Sequence, residues 1–132
     1  MTAKRRTVEA GTVWAPTVGY SRATRVGQHL LVAGTVGVDV EGKPAKGGMY
    51  GQAKQALANI LAAMTQLGGR PEDVVRTRIF VTDISKWEEV GRAHGEVFAN
   101  VRPPSTMVEV KQLIDPALLV EIEVDAIVAE DR

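Results

Sequence analysis

The sequence predicts an α+β fold in which one β-sheet carries two α-helices on one of its faces. Two segments have apolar residues at helical spacing, and the segments around them alternate apolar and polar residues as strands do. In chain order these elements are two or three strands, a helix, a strand, a second helix and two closing strands. This order suits one sheet with both helices packed on the same side.

The first strands are predicted within residues 24–44, which glycines divide into short apolar segments. Gly27-Gln28 is a plausible hairpin turn, and residues 42–48 have the composition of a loop. Nearly every side chain in residues 30–38 is apolar, which is typical of a strand buried on both faces. Because no third helix is predicted to cover the second face of the sheet, we expect the chain to form a homo-oligomer.

The two helices and the later strands have clear limits in the sequence. The first helix is predicted over residues 49–67, with Gly68-Gly69 ending it. The second helix begins at Ser85, which forms a capping box with Glu88. Pro103-Pro104 prevent this helix from continuing. Strands are predicted over residues 74–83, 106–111 and 119–128. In the first of these strands one face would carry the set Val75, Thr77, Ile79 and Val81.

The composition excludes several classes of function for this protein. A length of 132 residues suits a single domain over residues 1–132, and 16 basic against 16 acidic residues give no field that would attract nucleic acid or a membrane. There is no cysteine, no apolar stretch of about 18 residues and no signal-peptide pattern. Neither a metal-ligand spacing nor a phosphate-binding glycine loop occurs. We expect a cytoplasmic protein without a metal or a dinucleotide.

Three groups of residues are candidates for chemistry. His94 lies on the apolar stripe of the second helix, either as a hydrogen-bonded histidine at the edge of the core or as a proton carrier or substrate donor. Glu121, Glu123 and Asp125 share one face of the last strand. That face is either solvated, or it directs one carboxylate into a cleft between subunits, where burial would tune it for acid-base work. Tyr20 and Arg22 also share a strand face, as a candidate pair for binding a carboxylate.

Five segments stand out in chain order: "GYSRATRVGQHLLVAG", "YGQAKQALANILAAMTQLGG", "DVVRTRIFVTD", "PPSTMVEV" and "LIDPALLVEIE". Taken together and in this order, they resemble the Rid family, the YjgF-like reactive-intermediate deaminases. The resemblance covers essentially the whole chain. It implies a chorismate-mutase-like fold that assembles as a trimer, with the sheets forming a central barrel, the helices outside and three clefts between subunits.

The resemblance also implies an activity. The best-known members of the family hydrolyse imines and enamines released by pyridoxal-phosphate enzymes, yielding a 2-oxo acid and ammonia without metal or cofactor. Carried over to this chain, the tyrosine of the cleft matches Tyr20 and its glycine matches Gly34. The glutamate that positions water best matches Glu121, with Glu123 as the alternative, and the backbone N–H that lines the cleft belongs to Met107.

One position departs from the family pattern. Ser105, followed by Thr106, stands where the deaminases carry an arginine that clamps the substrate carboxylate. Replacing two charged hydrogen bonds by one neutral bond weakens carboxylate binding by about 2–4 kcal/mol. Arg22, Arg102 and His94 are the candidates to compensate.

Three functions follow from these observations. The first is a Rid-type hydrolase or deaminase acting on a small imine, enamine or related carbonyl-derived metabolite. The second is a non-catalytic trimer that binds a small metabolite and reports it to a partner. The third, a ribonuclease or translation inhibitor like some members of the family, has little support because the net charge is zero and few aromatic residues could stack on bases.

Overall fold

The computed structural model describes residues 4–132. Its elements, in chain order, are β1 (Arg5–Glu9), α1 (Ala15–Val18), β2 (Ser21–Val26), β3 (His29–Val36), α2 (Gly48–Gln66), β4 (Val74–Val81), α3 (Trp87–Phe98), β5 (Ser105–Glu109) and β6 (Val120–Ile127). Within these residues the strands form a six-stranded sheet in the order β1-β2-β3-β6-β4-β5. The β4–β5 pair is parallel and the other neighbours are antiparallel, so the sheet is mixed.

The two long helices cover one face of this sheet. The buried face of β6 consists of alternate residues, and the apolar sides of α2 and α3 pack into the same core. The core residues of β6 are Val120, Ile122, Val124 and Ala126. Burying these side chains removes apolar surface from water at about 25 cal/mol per Å², which is the main stabilisation of the fold. The predicted α+β fold, with both long helices on one side, is confirmed.

The other face of the sheet, here called the open face, is covered by neither long helix. Leu31, Val108 and Ile127 lie on it and are 53%, 43% and 48% exposed. Charged residues occupy much of the rest of this face. Arg78 Nη1 lies 3.1 Å from Glu123 Oε1 and 3.3 Å from Asp125 Oδ2. A strand order that leaves large apolar side chains exposed on one face is consistent with the predicted self-association, which stays a prediction.

Two short elements were missed from the sequence, and the third strand that it left open is absent. Strand β1 pairs with β2, and helix α1 lies between these two strands. The third strand considered for residues 24–44 does not form, because after β3 the described chain makes only an isolated bridge between Val38 and Pro44. The Gly27-Gln28 turn does join β2 to β3, and Gly27 takes the positive φ of 62° that such a turn requires.

The predicted start of the second helix was wrong. Helix α3 begins at Trp87, and a short 3₁₀ turn over Ile84–Lys86 precedes it. The Asp83 carboxylate accepts from the Ser85 amide at 3.0 Å and from the Ser85 hydroxyl at 2.6 Å. Because the Ser85 hydroxyl donates to Asp83 and the Asp83 carboxylate caps the turn, the expected Ser85–Glu88 capping box does not form.

The face assigned to Val75 was also wrong. A register shift between Val74 and Arg76 places Val74 in the core and leaves Val75 40% exposed. From Thr77 onward the alternation follows the prediction, with Thr77, Ile79 and Val81 buried. A bulge at the start of β4 explains the change, since one extra residue reverses the alternation on one side of it.

A buried arginine fastens the end of α2 to the sheet. Arg25 is only 4% exposed. Its guanidinium donates to the carbonyl oxygens of Leu67 at 2.7 Å, Gly27 at 2.9 Å and Ala129 at 3.2 Å. The positive charge lies at the C-terminal end of α2, where the helix dipole is negative. Arg25 therefore joins the β2–β3 turn, the end of α2 and the segment after β6.

We expect the substitution Arg25→Met to lower the free energy of unfolding by about 2–4 kcal/mol, because it leaves buried carbonyl groups without a donor. Urea denaturation measures this change. Arg6→Met is the matched control: Arg6 pairs with Arg25 across β1 and β2 but is exposed, so its loss should change stability by less than about 0.5 kcal/mol. Equal denaturation midpoints for wild type and Arg25→Met would contradict this role.

Candidate functional site

Glu121 lies on the open face between two apolar neighbours. It pairs with Val36 of β3 on one side and Phe80 of β4 on the other, and all three residues are half-buried. Burial raises the pKa of the Glu121 carboxyl above its ordinary 4.5, and the nearby negative charge of Glu123 raises the pKa further. The positive charge of Arg22 acts in the opposite direction. The arrangement makes Glu121 a better proton acceptor than an exposed glutamate.

A bulge in β3 brings the backbone against this carboxylate. The register between β3 and β6 shifts between Val32 and Thr35, and Gly34 lies in that shift. A Cβ atom on Gly34 would come within 2.6 Å of Glu121 Oε2 and 2.8 Å of its Cδ. A residue with a side chain at position 34 would therefore occupy the space of the carboxylate. Bulges of this kind occur next to active sites, where they redirect the chain.

Arg22 holds the bulge in place. Its Nη1 donates to the Gly34 carbonyl at 2.7 Å and to Thr35 Oγ1 at 3.1 Å. The buried Thr35 hydroxyl in turn donates to the Ala33 carbonyl at 2.7 Å. The arginine thus fixes the backbone beside Glu121 and brings a positive charge to the same place.

Tyr20 completes this group of residues. The Arg22 guanidinium carbon lies 5.7 Å from the centre of the Tyr20 ring, within the range of a cation–π contact. The Tyr20 hydroxyl hydrogen-bonds with Thr12 Oγ1 at 2.6 Å, which ties it to the segment before α1. We call Tyr20, Arg22, Gly34 and Glu121 the glutamate cluster.

The surroundings of Glu123 differ from those of Glu121. Glu123 forms an ion pair with Arg78, which makes it part of the open-face charge network. Glu121 is the carboxylate beside the Gly34 bulge, and it forms no ion pair within 4.0 Å among residues 4–132. Of the two carboxylates, Glu121 is therefore the better candidate for acid-base chemistry.

A groove of about 470 Å³ runs along the open face beside this cluster. It is wide open and does not include Glu121 in its lining. Among the residues that line it are Tyr20, Arg22, Leu31, Ala33 and Glu123. A groove of this shape on a single chain is too open to exclude water from a small ligand, so this surface needs a cover to become an enclosed site.

The other predicted site residues form a second group on the helix-covered side. Thr77 Oγ1 donates to Ser105 Oγ at 2.7 Å and also lies 2.9 Å from His94 Nε2. Thr77 is fully buried, His94 is half-buried and Ser105 is exposed. Burial lowers the pKa of His94, which keeps the ring neutral near pH 7. We call Ser105, Thr77 and His94 the hydroxyl chain.

The two groups do not meet within one chain. Glu121 is on β6 and Ser105 is on β5, with β4 between them, which corresponds to roughly 10 Å across the sheet. They also face opposite ways, because Glu121 pairs with the open-face residue Phe80 whereas Ser105 pairs with the buried Thr77. A ligand of a few atoms cannot touch both groups on a single protomer.

The remaining candidate residues lie around β5. Thr106 pairs with Arg78 on the open face, and Met107 pairs with Ile79 and packs against the core. Arg102 precedes the strand in an exposed turn with a φ of 54°, and its amide donates to the Phe98 carbonyl at 2.7 Å. Neither Arg102 nor Met107 is part of the glutamate cluster.

Sequence reasoning missed Thr77 and Phe80. A threonine among the apolar residues on the buried side of β4 was the available signal for Thr77, since a buried hydroxyl needs a partner. Phe80 carries no such signal, because its contact with Glu121 depends on the pairing of β4 with β6.

Residues 4–132 contain no group of three or more histidine, cysteine, aspartate or glutamate side chains arranged to hold a metal ion. No helix in the described part of the chain is long and apolar enough to cross a membrane.

Known proteins match this chain over nearly its whole length. Residues 12–128 match the family described as Endoribonuclease L-PSP. The crystal structure of Rv2704 from Mycobacterium tuberculosis, a member of the highly conserved YjgF/YER057c/UK114 family, is 47% identical with a TM-score of 0.86 and covers 95% of this chain and 100% of that one.

Two curated relatives agree with these matches. An uncharacterized protein of Streptomyces coelicolor is 36% identical over 92% of this chain and 90% of its own length. A RutC family protein of Pyrococcus abyssi is 32% identical over 82% of this chain and 84% of its own length. The chain therefore belongs to the Endoribonuclease L-PSP family, the YjgF or Rid family that its sequence resembles.

Proposed function

We propose that the protein is a cofactor-independent hydrolase that deaminates a small imine, enamine or related carbonyl-derived metabolite. The observation that carries the proposal is the glutamate cluster, in which a half-buried carboxylate of raised pKa lies against a glycine bulge held by an arginine. Family membership supports the reaction type, since Tyr20, Gly34 and Glu121 of the cluster are residues that the resemblance implies.

Glu121 acts as the general base in this proposal. It accepts a proton from a water molecule as the water oxygen bonds to the imine carbon. That proton passes to the imine nitrogen, which gives a carbinolamine. Glu121 then takes the proton of the carbinolamine hydroxyl and returns it to the nitrogen as the C–N bond breaks, so that a carbonyl compound and ammonia leave. An enamine first gains a proton at carbon, loses one from nitrogen and enters as the imine. A base whose pKa is moved toward neutrality is suited to both accepting and returning the proton.

Arg22 and Tyr20 bind the substrate in this scheme. Arg22 uses Nη1 to hold the bulge, and the other nitrogen atoms of its guanidinium can donate to an anionic group of the substrate. Tyr20 forms the wall beside it. The arginine is thus both a structural donor and a positive charge that acts on the Glu121 carboxyl.

The site is completed between copies of the chain. The open groove and the separation of the two residue groups both support this, because a second copy would cover the groove and could bring its own β5 residues to the glutamate cluster. A homotrimer is the assembly that the resemblance implies. A cytoplasmic location also remains part of the proposal.

A second candidate is a non-catalytic protein that binds a small metabolite. Ser105 favours this candidate, because a neutral hydroxyl replaces the clamping arginine of the deaminases and weakens the hold on a carboxylate. Incubation with 2-iminopropanoate, generated by a dehydratase, separates the two candidates. Ammonia release above the uncatalysed rate supports the hydrolase, whereas ligand-induced thermal stabilisation without turnover supports the binding protein.

We expect Glu121→Gln to lower kcat/KM for imine hydrolysis by about 10²- to 10⁴-fold, which is the usual contribution of a general base. The variant should unfold no earlier than wild type at pH 7, because glutamine removes a charge that burial disfavours. Stopped-flow assays and thermal melts measure the two effects. Glu123→Gln is the control and should keep most of the activity. The assignment fails if Glu123→Gln is the inactive variant.

Gly34→Ala should impair hydrolysis while leaving stability nearly unchanged. The added Cβ meets the far end of the flexible Glu121 side chain rather than the backbone, so the carboxylate is displaced and the fold adapts. Gly91→Ala on α3 is the control, since its Cβ makes only an ordinary 3.8 Å contact with the Trp87 ring. Steady-state kinetics and melting curves of both variants check this. Full activity in Gly34→Ala would show that the close approach has no role.

A further inference from the structure

We propose that Thr77 and His94 orient the Ser105 hydroxyl as an outward hydrogen-bond donor for an uncharged oxygen of the ligand, such as an amide or ketone carbonyl. This inference deepens the proposed function and rests on it for the nature of the ligand. Ser105 is then the ligand-contacting residue, and Thr77 and His94 are positioning residues.

The order of the hydrogens follows from the geometry. The Thr77 hydroxyl has one hydrogen and donates it to Ser105 Oγ at 2.7 Å. Since Thr77 has no second hydrogen, the hydrogen in the 2.9 Å contact between Thr77 Oγ1 and His94 Nε2 comes from the histidine. His94 is therefore in the Nε2–H tautomer. Among residues 4–132 the Ser105 hydrogen has no acceptor of its own. It is left free to donate to a ligand.

The burial of the hydroxyl chain supports a role beyond packing. Thr77 is fully buried and pairs with Val124 of β6. A valine at position 77 would fill the same space without a polar group. A buried hydroxyl is costly unless it is hydrogen-bonded, and both bonds of this hydroxyl belong to the chain that leads to the surface. The Thr77 amide also donates to the Pro104 carbonyl at 3.0 Å. One buried residue thus fixes both the backbone before Ser105 and its side chain.

The direction of donation does not depend on the charge of His94. The neutral ring carries its hydrogen on Nε2, and protonation adds a second one on Nδ1, so Nε2 donates to Thr77 in both states. The Phe98 ring, with its centre 4.8 Å from that of His94, packs against the imidazole and limits its rotation. The hydroxyl chain therefore presents the same donor in both protonation states of His94.

The chemistry of a hydroxyl defines the group that it selects. Ser105 provides one hydrogen bond and no charge, whereas an arginine would provide two bonds and a positive charge. The desolvation of a carboxylate is not compensated by a single neutral donor, but that of an amide or ketone oxygen is. The β5 end of the site is accordingly matched to a neutral oxygen, and any anionic group of the ligand is left to Arg22.

The test compares two ligands of the same shape, pyruvamide and pyruvate, titrated into the full-length protein and followed by NMR at the amides of residues 105–107. We expect pyruvamide to shift these signals in wild type. Ser105→Ala and Thr77→Val should each weaken pyruvamide binding about two- to tenfold, the worth of one neutral hydrogen bond. Thr77→Ser keeps the hydroxyl and should restore binding, and Ser105→Arg should shift the preference toward pyruvate.

A second readout does not depend on any ligand. The ¹⁵N shifts of His94 should report the Nε2–H tautomer in wild type and in Thr77→Ser, and a mixture of tautomers in Thr77→Val. A proton on Nδ1 in wild type would overturn the proposed order, and so would pyruvamide binding that is unchanged in both Ser105→Ala and Thr77→Val. If Thr77→Val does not fold, Ser105→Ala alone decides, because Ser105 is exposed. Absence of ammonia release with normal pyruvamide binding would refute only the hydrolase.

Discussion

The packing of α2 against the sheet is the constraint on which both the fold and the candidate site depend. Two polar side chains of this helix hold the strand ends beside Glu121. Gln52 donates to the Ala117 carbonyl at 2.9 Å and accepts from the Leu119 amide at 2.8 Å, just before β6 begins. Asn59 donates to the carbonyls of Val36 at 3.2 Å and Val38 at 3.0 Å, where β3 ends. Because β6, which carries the carboxylate, and its neighbour β3 are both fixed to one helix, the position of the carboxylate follows from the core.

A sheet with only one covered face explains how a carboxyl group acquires a raised pKa in so small a chain. The covered face supplies the core, and the open face is free to carry ionisable residues. Arg78 pairs with Glu123 and Asp125 on that face. Glu121 lies on the same face of β6, two residues before Glu123. Its neighbours on the adjacent strands are Val36 and Phe80 rather than charged residues. The apolar neighbours remove water from it, and the pKa rises for that reason.

The parts of the site that follow strand periodicity could be predicted from the sequence. The alternation in residues 120–127 places the three carboxylates on one face, and the structure has them there. The parts that depend on irregular backbone could not be predicted. The shift that brings Gly34 against Glu121, and the shift that exposes Val75, each involve an extra residue whose position is set by the partner strand.

The choice between neighbouring hydrogen-bonding groups could not be predicted from the sequence either. Asp83 rather than Ser85 caps the turn before α3, although both residues are good caps. Ser105 and His94 were separate candidates in the sequence, and only the parallel pairing of β4 with β5 reveals Thr77 between them. Contacts of this kind join residues far apart in the chain, so local patterns do not contain them.

The pH dependence of imine hydrolysis tests the role of Glu121 most directly. Because its pKa lies above 4.5 in the folded protein, the carboxylate is still protonated at pH values where an exposed glutamate is ionised. After subtraction of the uncatalysed rate, kcat/KM for 2-iminopropanoate should rise with pH through an apparent pKa above 4.5, and this limb should be absent from the residual activity of Glu121→Gln. A limb that persists unchanged in that variant would contradict the assignment of Glu121 as the base.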